Sequence, residues 1–349
     1  MSGLIWAVLA AAGLAACATP TTMAPNITAA DTAAEGDRQV QYVFDARLAE
    51  QGRLDDIGFK LFSANAELCP AKRTRFGMTF VDASLMTGSY RDAAIRAFGT
   101  GDGLVVTHVA AGGPADLAGV RRGDQIVALN GSAAQSGPQV MDILSKGGRQ
   151  TFVLRRAGQQ LTVAIDSVVT CAYEVVLADG QELNAYADGQ KIFVTRAMLR
   201  LAGSDPELAL VVAHELAHDA REHVQAMHKN SILAALGGAA IDAIAASKGI
   251  DTQGQYTEAA AQAGARYRSP EFEAEADYVG MYFLARAGFQ TDGVENFWRK
   301  MAAEDPQGIY VKTDHPASAS RYLAIAAASA EITRKRAAGE PLVPNERPR

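Results

Sequence analysis

The hydrophobic positions of this chain change period twice. Over residues 38–66, Leu54, Ile57, Leu61 and Ala64 recur at three- and four-residue steps, which predicts a helix. The pattern then shortens. "FGMTF" follows at 76–80, then "GLVVTHV" reads as a short strand and "GGPADLAG" as a turn into a short helix, with Pro114 near its start and Gly119 at its end. "GDQIVALNG" is a strand closed by Asn130-Gly131, a strong hairpin signal. "PQVMDILSKG" predicts a second helix, and "RQTFVLRRAGQQLTVAID" a hairpin turning near Ala157-Gly158. After residue 171, "YEVVLA" and "KIFVTRAML" are strand-like around a Gly-rich turn, and the period returns to helical. "SDPELALVVAHELAHDAREHVQAMH" opens with Ser204 or Asp205 as N-cap, Pro206 at the first helical position and Glu207 completing a capping box. "SILAALGGAAIDAIAASKG" (231–249) is apolar but short and interrupted by Asp242. It predicts a packed helix or a cover over a cleft rather than a membrane span.

The N-terminus follows another pattern. "MSGLIWAVLAAAGLAACATP" carries an apolar run of signal-peptide length. Its Leu14-Ala15-Ala16-Cys17 resembles the lipobox of bacterial lipoproteins. That resemblance implies export, a lipidated Cys17 as the first mature residue, and periplasmic anchoring. Ala18 stands where an inner-membrane retention signal would show Asp, so the implied membrane is the outer one. The alternative is a plain secretory signal or an anchor helix, since the n-region holds no Lys or Arg. Residues 18–37 are small and polar and read as a tether, 38–68 as a helix packing on the later domain, and 334–349 as a tail.

With 349 residues and 48% hydrophobic content the chain can bury two modest cores. A net charge of -6 gives no electrostatic reason to expect nucleic acid as a partner. Export changes how the cysteines read. Apart from Cys17 there remain Cys69 and Cys171, an even pair at the two ends of the strand-rich segment. They predict a disulfide closing residues 69–171 at the base; two buried thiols are the other reading.

The segment from 75 to about 168, above all "GPADLAGVRRGDQIVALNG", resembles a PDZ domain of the bacterial protease-associated kind. This implies a β-sandwich or barrel-like module whose exposed strand edge accepts an extended peptide. The loop matching the family's carboxylate-binding loop is Phe76-Gly77-Met78-Thr79. A spacer with a closed groove is the bland alternative.

Chemistry concentrates in "HELAH". Residues four apart share a helix face, so His214 and His218 can direct ring nitrogens at one ion. Glu215 lies about 100° round the helix from His214, near enough to reach a water there. Catalytic zinc takes three protein ligands, so one must come from elsewhere. "YRSPEFEAEADYVG" supplies Glu273 and Asp277 at i and i+4, one for the ion and the other to orient an imidazole. A solvated acidic helix face is the competing reading.

"HELAH", the later E-x-x-x-D, "NAYADGQKIFVTRAML" and "DHPASASR" together resemble the zinc metallopeptidases that include HtpX and the CAAX prenyl proteases, in their soluble periplasmic branch. The resemblance spans 172 to about 330. It implies an α+β gluzincin, mainly helical with a small edge sheet, over 172–333. It also implies one Zn2+ held by His214, His218 and Glu273, with Glu215 as general base and Asp277 behind the ligands. Pro270 replaces the family's usual Arg, and Glu271 and Glu275 receive no role. His315 is the candidate for oxyanion stabilisation or for a displaceable fourth ligand, with Arg321 behind it. His223 and His228 are expected behind the site or on the surface, and His108 to be structural.

The expectation is a zinc endopeptidase of the bacterial envelope. It would cleave misfolded or misassembled proteins captured by its PDZ domain and be tethered to the membrane through Cys17. Two rivals remain: a PDZ-based, chaperone-like binding protein with a latent zinc site, and a metal-dependent amidase or esterase.

Overall fold

The computed structural model describes residues 22, 25–248, 250–266, 270–304, 306 and 319–346; Cys17 and His315 lie outside them. The helix expected from residue 38 begins earlier, as α1 (Ala29–Ala64). Thr28 and Asp31 form a reciprocal capping box: the Asp31 N–H donates to Thr28 Oγ1 at 3.1 Å and the Thr28 N–H donates to Asp31 at 3.2 Å. Residues 29–39 are exposed, so no apolar periodicity marks this stretch as helix. The cap and the alanines sustain it, and part of the expected tether is therefore helical.

The strand-rich module comprises β1 (Lys72–Arg75), β2 (Met78–Asp82), α2 (Gly88–Phe98), β3 (Leu104–Val109), α3 (Pro114–Leu117), β4 (Gln125–Leu129), β5 (Ser132–Ala133), α4 (Gly137–Ser145), β6 (Arg149–Arg156), β7 (Gln159–Asp166) and β8 (Val168–Cys171). Five strands form an open sheet in the order β2-β3-β4-β6-β7, with β5 beside β4. Asn130 and Gly131 take φ of 52° and 79°, and Ala157 and Gly158 take 47° and 80°. Positive φ at both central residues matches the right-handed twist of the flanking strands. Phe76, Val106, Ile126, Phe152 and Leu154 fill the core. Helix α2 occupies a stretch where the pattern marks no element. Its Phe98 meets Phe44 of α1 edge-on at 5.8 Å.

The module is fastened at its base and along α1. Lys72 pairs with Cys171 in the β1–β8 ladder, so the two chain ends leave side by side, and Cys69 and Cys171 are disulfide-bonded with Cα atoms 5.5 Å apart. Along α1, Phe59 lies against Gly77 and Gly113. Asp55 accepts from Thr79 Oγ1, and Asp56 meets His108 Nε2 at 3.0 Å.

This last contact predicts a pH dependence. Burial opposes a charge on His108, but Asp56, helped by Asp55 and against Arg122, raises its pKa above the ordinary imidazole value. A raised folded pKa contributes stability that is fully present below the unfolded value and is lost as pH rises through the folded one. Between about pH 6 and 8 the wild type should therefore lose stability relative to His108→Gln. Thermal melts of both proteins across that range check this, and parallel pH profiles would remove His108 from the junction.

The helical domain begins with a small sheet of β9 (Glu174–Ala178), β10 (Ala185–Ala187) and β11 (Lys191–Thr195), in the order β10-β11-β9. "KIFVTRAML" is only partly strand. Thr195 Oγ1 accepts the Met198 N–H at 3.2 Å and caps α5 (Arg196–Leu201). Then come α6 (Asp205–Ala220), α7 (His223–Ser247), α8 (Gln255–Arg266), α9 (Pro270–Arg286), α10 (Asn296–Glu304) and α11 (Ala319–Ala338). Glu207 accepts the Ser204 N–H at 3.2 Å at the start of α6.

Helices α6 and α9 are the central pair, with Leu208, Val212 and Leu216 of one and Met281, Phe283 and Leu284 of the other in a common core. They approach closely at Gly280, where a Cβ would sit 3.1 Å from the backbone nitrogen of His214. Helix α1 joins this core through Leu54, Ile57 and Leu61.

Helices α7 and α8 form a hairpin. Gly238 lies so close to α8 that a Cβ would overlap the Tyr256 carbonyl. Asp242, the residue that interrupts the apolar run, accepts from Thr257 N–H at 2.9 Å and Thr257 Oγ1 at 2.7 Å. Ile232, Leu233, Leu236, Ile241 and Ile244 are exposed, so this segment is not a packed helix, the first of the two forms expected for it. Among the described residues, α7 is long and apolar enough to cross a membrane by length and composition.

Candidate metal centre

Helix α6 is buried throughout its HELAH stretch, with His214, Glu215 and His218 only 2–3% exposed. The capped start fixes the helix register, and the four-residue step turns both imidazoles to one side. Their Nε2 atoms lie 3.2 Å apart. Helix α9 brings Glu273 opposite them, with Oε2 3.4 Å from His214 Nε2 and Oε1 3.2 Å from His218 Nε2. One donor atom from each of the three residues lies within 4.8 Å of the others. Two imidazoles and a carboxylate converging in a buried space fit a zinc-type divalent cation.

The surroundings orient these groups. Asp277, one turn after Glu273, meets His214 Nδ1 at 2.9 Å. Arg321 of α11 grips Asp277 with two charge-assisted hydrogen bonds of 2.7 and 2.6 Å. Its guanidinium lies 3.4 Å from Glu273 and stacks 3.8 Å over the Trp298 ring of α10. Burial alone would raise the Asp277 pKa, but Arg321 and His214 hold it below the usual carboxylate value. Burial and Arg321 oppose a charge on His214, yet Asp277 and Glu273 push its pKa up to about 9. Burial dominates at His218 and pulls it down to about 4.

Several neighbours carry no signal in the motif. Asp219 accepts the Gly189 N–H at 2.9 Å and so ties the β10–β11 turn to α6; burial pushes its pKa up to about 7. His223 lies 3.1 Å from His218 and 3.2 Å from Glu275. Trp298 approaches His214 edge-on at 6.3 Å. His223, expected behind the site or on the surface, lies behind His218, whereas only position relative to the HELAH helix could have drawn attention to Asp219, and nothing local marks Trp298.

His214, Glu215, His218, Glu273, Asp277 and Arg321 thus come together, while His315 and Cys17 fall outside the described residues. The loop Phe76-Gly77-Met78-Thr79 lies elsewhere, in the wall of a cavity of about 830 Å³ between β2, α4 and α1. Gly77 takes φ 73° there, and a Cβ on it would crowd Gly113 and Pro114 at 3.2 Å. Strand β2 forms one edge of its sheet, and Met141 and Leu144 of α4 face it across the cavity.

A mainly helical domain with this donor set, carrying a strand-rich module ahead of it, defines a metallopeptidase with a PDZ domain. The chain belongs to peptidase family M48, which matches residues 149–329, just over half of it. Residues 105–156 match the PDZ domain; the two matches overlap on strand β6, which the sheet assigns to the PDZ module. Over 159 residues the chain is 30% identical to a beta-barrel assembly-enhancing protease of Yersinia pestis, covering 44% of this chain and 32% of that protein. Over 164 residues it is 27% identical to the mitochondrial metalloendopeptidase OMA1 of Schizosaccharomyces pombe, covering 46% and 47%. The chain therefore matches 32% and 47% of the length of these two relatives. Among solved structures, the HtrA3 PDZ domain bound to a phage-derived ligand is similar at 20% identity and a TM-score of 0.24, covering 29% of this chain and 91% of that one.

Proposed function

We propose that this chain is a zinc endopeptidase of the bacterial envelope, exported and tethered through Cys17, which cleaves proteins captured by its PDZ domain. The observation that carries the reading is the convergence of His214, His218 and Glu273, with Glu215 beside them on α6. The names of the relatives, a beta-barrel assembly-enhancing protease and a metalloendopeptidase, support both the chemistry and a role in envelope protein quality control.

His214, His218 and Glu273 would hold the ion. When bound there, zinc would make water more acidic and polarise the scissile carbonyl. Glu215 takes the proton of the attacking water and returns it to the leaving amine. Asp277, fixed by Arg321, holds the His214 ring with its Nδ1–H engaged, leaving Nε2 as the donor. His315 is assigned to the oxyanion or to a displaceable fourth ligand position, with Arg321, whose Nε and Nη2 are engaged by Asp277, the weaker candidate.

Substrate would add along free edges. Strand β10 pairs only with β11 among the described residues, and it packs beside α6. On the PDZ side an extended segment would add to β2, its side chains entering the cavity walled by Phe76, Met78, Met141 and Leu144. This would raise its local concentration near the metal.

Purified mature protein is expected to carry about one zinc per chain, and Glu273→Ala far less, because two imidazoles alone leave the site short of its usual three ligands. Metal analysis beside casein cleavage checks this. A wild type without zinc, after loss in purification is excluded, would leave the PDZ domain as the function.

A further inference from the structure

His218 presents Nε2 to Glu273 and to the His214 ring, so its Nδ1 faces away from the donor cluster. That nitrogen lies 3.1 Å from Nδ1 of His223, whose Nε2 lies 3.2 Å from Glu275 Oε2. One tautomer pattern satisfies the whole chain. With Nε2 of His218 as a metal donor, its proton sits on Nδ1 and is donated to His223 Nδ1. His223 then donates its own Nε2–H to the Glu275 carboxylate. No member needs an additional proton.

We propose that His223, backed by Glu275, is a positioning residue that fixes the tautomer and ring orientation of His218, as Asp277 does for His214. This rests on the reading of His218 as a metal ligand. It also gives a role to Glu275, which the sequence motif leaves without one.

The fold holds His223 in place by independent means. Its ring is 2% exposed and stacks on Phe272 of α9, with centroids 4.4 Å apart and planes at 15°. Glu222, just before it, takes φ 57°, a left-handed conformation rarely adopted by residues with a Cβ. Had α6 continued straight, position 223 would lie about 140° round the axis from His218. The break at Glu222 turns the chain back and sets His223 against the rear of the ligand ring. Backbone strain of this kind persists only where the surroundings enforce it.

The test is the zinc dissociation constant of the full chain, measured by competition with a chromogenic chelator. His223→Phe keeps a ring on Phe272 but offers nothing to His218 Nδ1, and zinc should bind about 10–100-fold more weakly. His223→Asn places an amide oxygen near the lost nitrogen and should recover part of that loss. Glu275→Ala, at a half-exposed position, should weaken zinc less but in the same direction. In the cobalt-substituted protein, the visible bands should shift in His223→Phe, which a purely packing role would not cause. Wild-type zinc affinity in both His223→Phe and Glu275→Ala would overturn the proposal; if His223→Phe does not fold, unchanged affinity in Glu275→Ala alone does so. A wild type that binds no zinc would instead overturn the ligand reading on which the proposal stands, so the two failures are distinguishable.

Discussion

Replacing Glu215 with Gln is expected to lower kcat for peptide cleavage by about 10²–10⁴-fold, the usual worth of a general base, while zinc content stays at the wild-type level. The geometry explains the separation. Glu215 follows His214 directly and so points about 100° away from it, outside the set of donors formed by His214, His218 and Glu273. Its carboxylate can act on a water at the site without holding the ion. Gln keeps the size and hydrogen-bonding capacity of the side chain but cannot accept a proton under these conditions. Zinc analysis, a thermal melt and single-turnover cleavage of a peptide would establish the pattern. A variant that cleaves at the wild-type rate would take Glu215 out of the chemistry. A chaperone-like activity that survives undiminished in Glu215→Gln would favour the PDZ-based binding alternative, whereas surviving PDZ binding alone is expected under both readings.

The resemblance drawn from "HELAH", the E-x-x-x-D helix and "GPADLAGVRRGDQIVALNG" holds, and so does the mainly helical plus PDZ architecture. Those features were legible because they are local. Helix periodicity places His214 and His218 on one face, and Asn130-Gly131 forces a turn whatever surrounds it. What stayed hidden depends on distance or on absent periodicity. The first turns of α1 are exposed and carry no apolar stripe, and α2 lies in a stretch with no marked pattern. A place behind the site is one of two expectations for His223, but its particular neighbours depend on the break at Glu222, which no propensity for Glu foretells. Arg321 reaches Asp277 across the packing of α9 and α11, so its place behind the site needs the tertiary fold. For α7 the sequence leaves a packed helix and a cover over a cleft open, and its exposed apolar residues do not fit the packed one.

Removing the Cys69–Cys171 disulfide is expected to cost about 2–5 kcal/mol of stability. The bond closes a sequence separation of 102 residues, and a loop of that length restricts the unfolded chain strongly. The native state also loses a clamp at the place where the PDZ module joins the helical domain. The β1–β8 ladder would remain, as would the Arg73–Glu174 contact at 3.0 Å and the docking of Phe59 and Asp56 along α1. These attachments favour a protein that still folds but melts earlier. Both cysteines are buried, so the double variant Cys69→Ala/Cys171→Ala is the clean comparison, because it leaves no free thiol. Its melting temperature under non-reducing conditions should fall by about 5–15 °C. Reductant should lower the wild type towards the same value and leave the variant unmoved. Equal melting temperatures would show that the bridge adds nothing beyond the ladder. The same pair of proteins also tests the coupling between capture and cleavage. If the PDZ domain captures substrate as proposed, a module held less firmly would offer its bound segment to the metal at a lower effective concentration. Cleavage of a tethered PDZ ligand should then fall more than cleavage of a short peptide that reaches the site unaided.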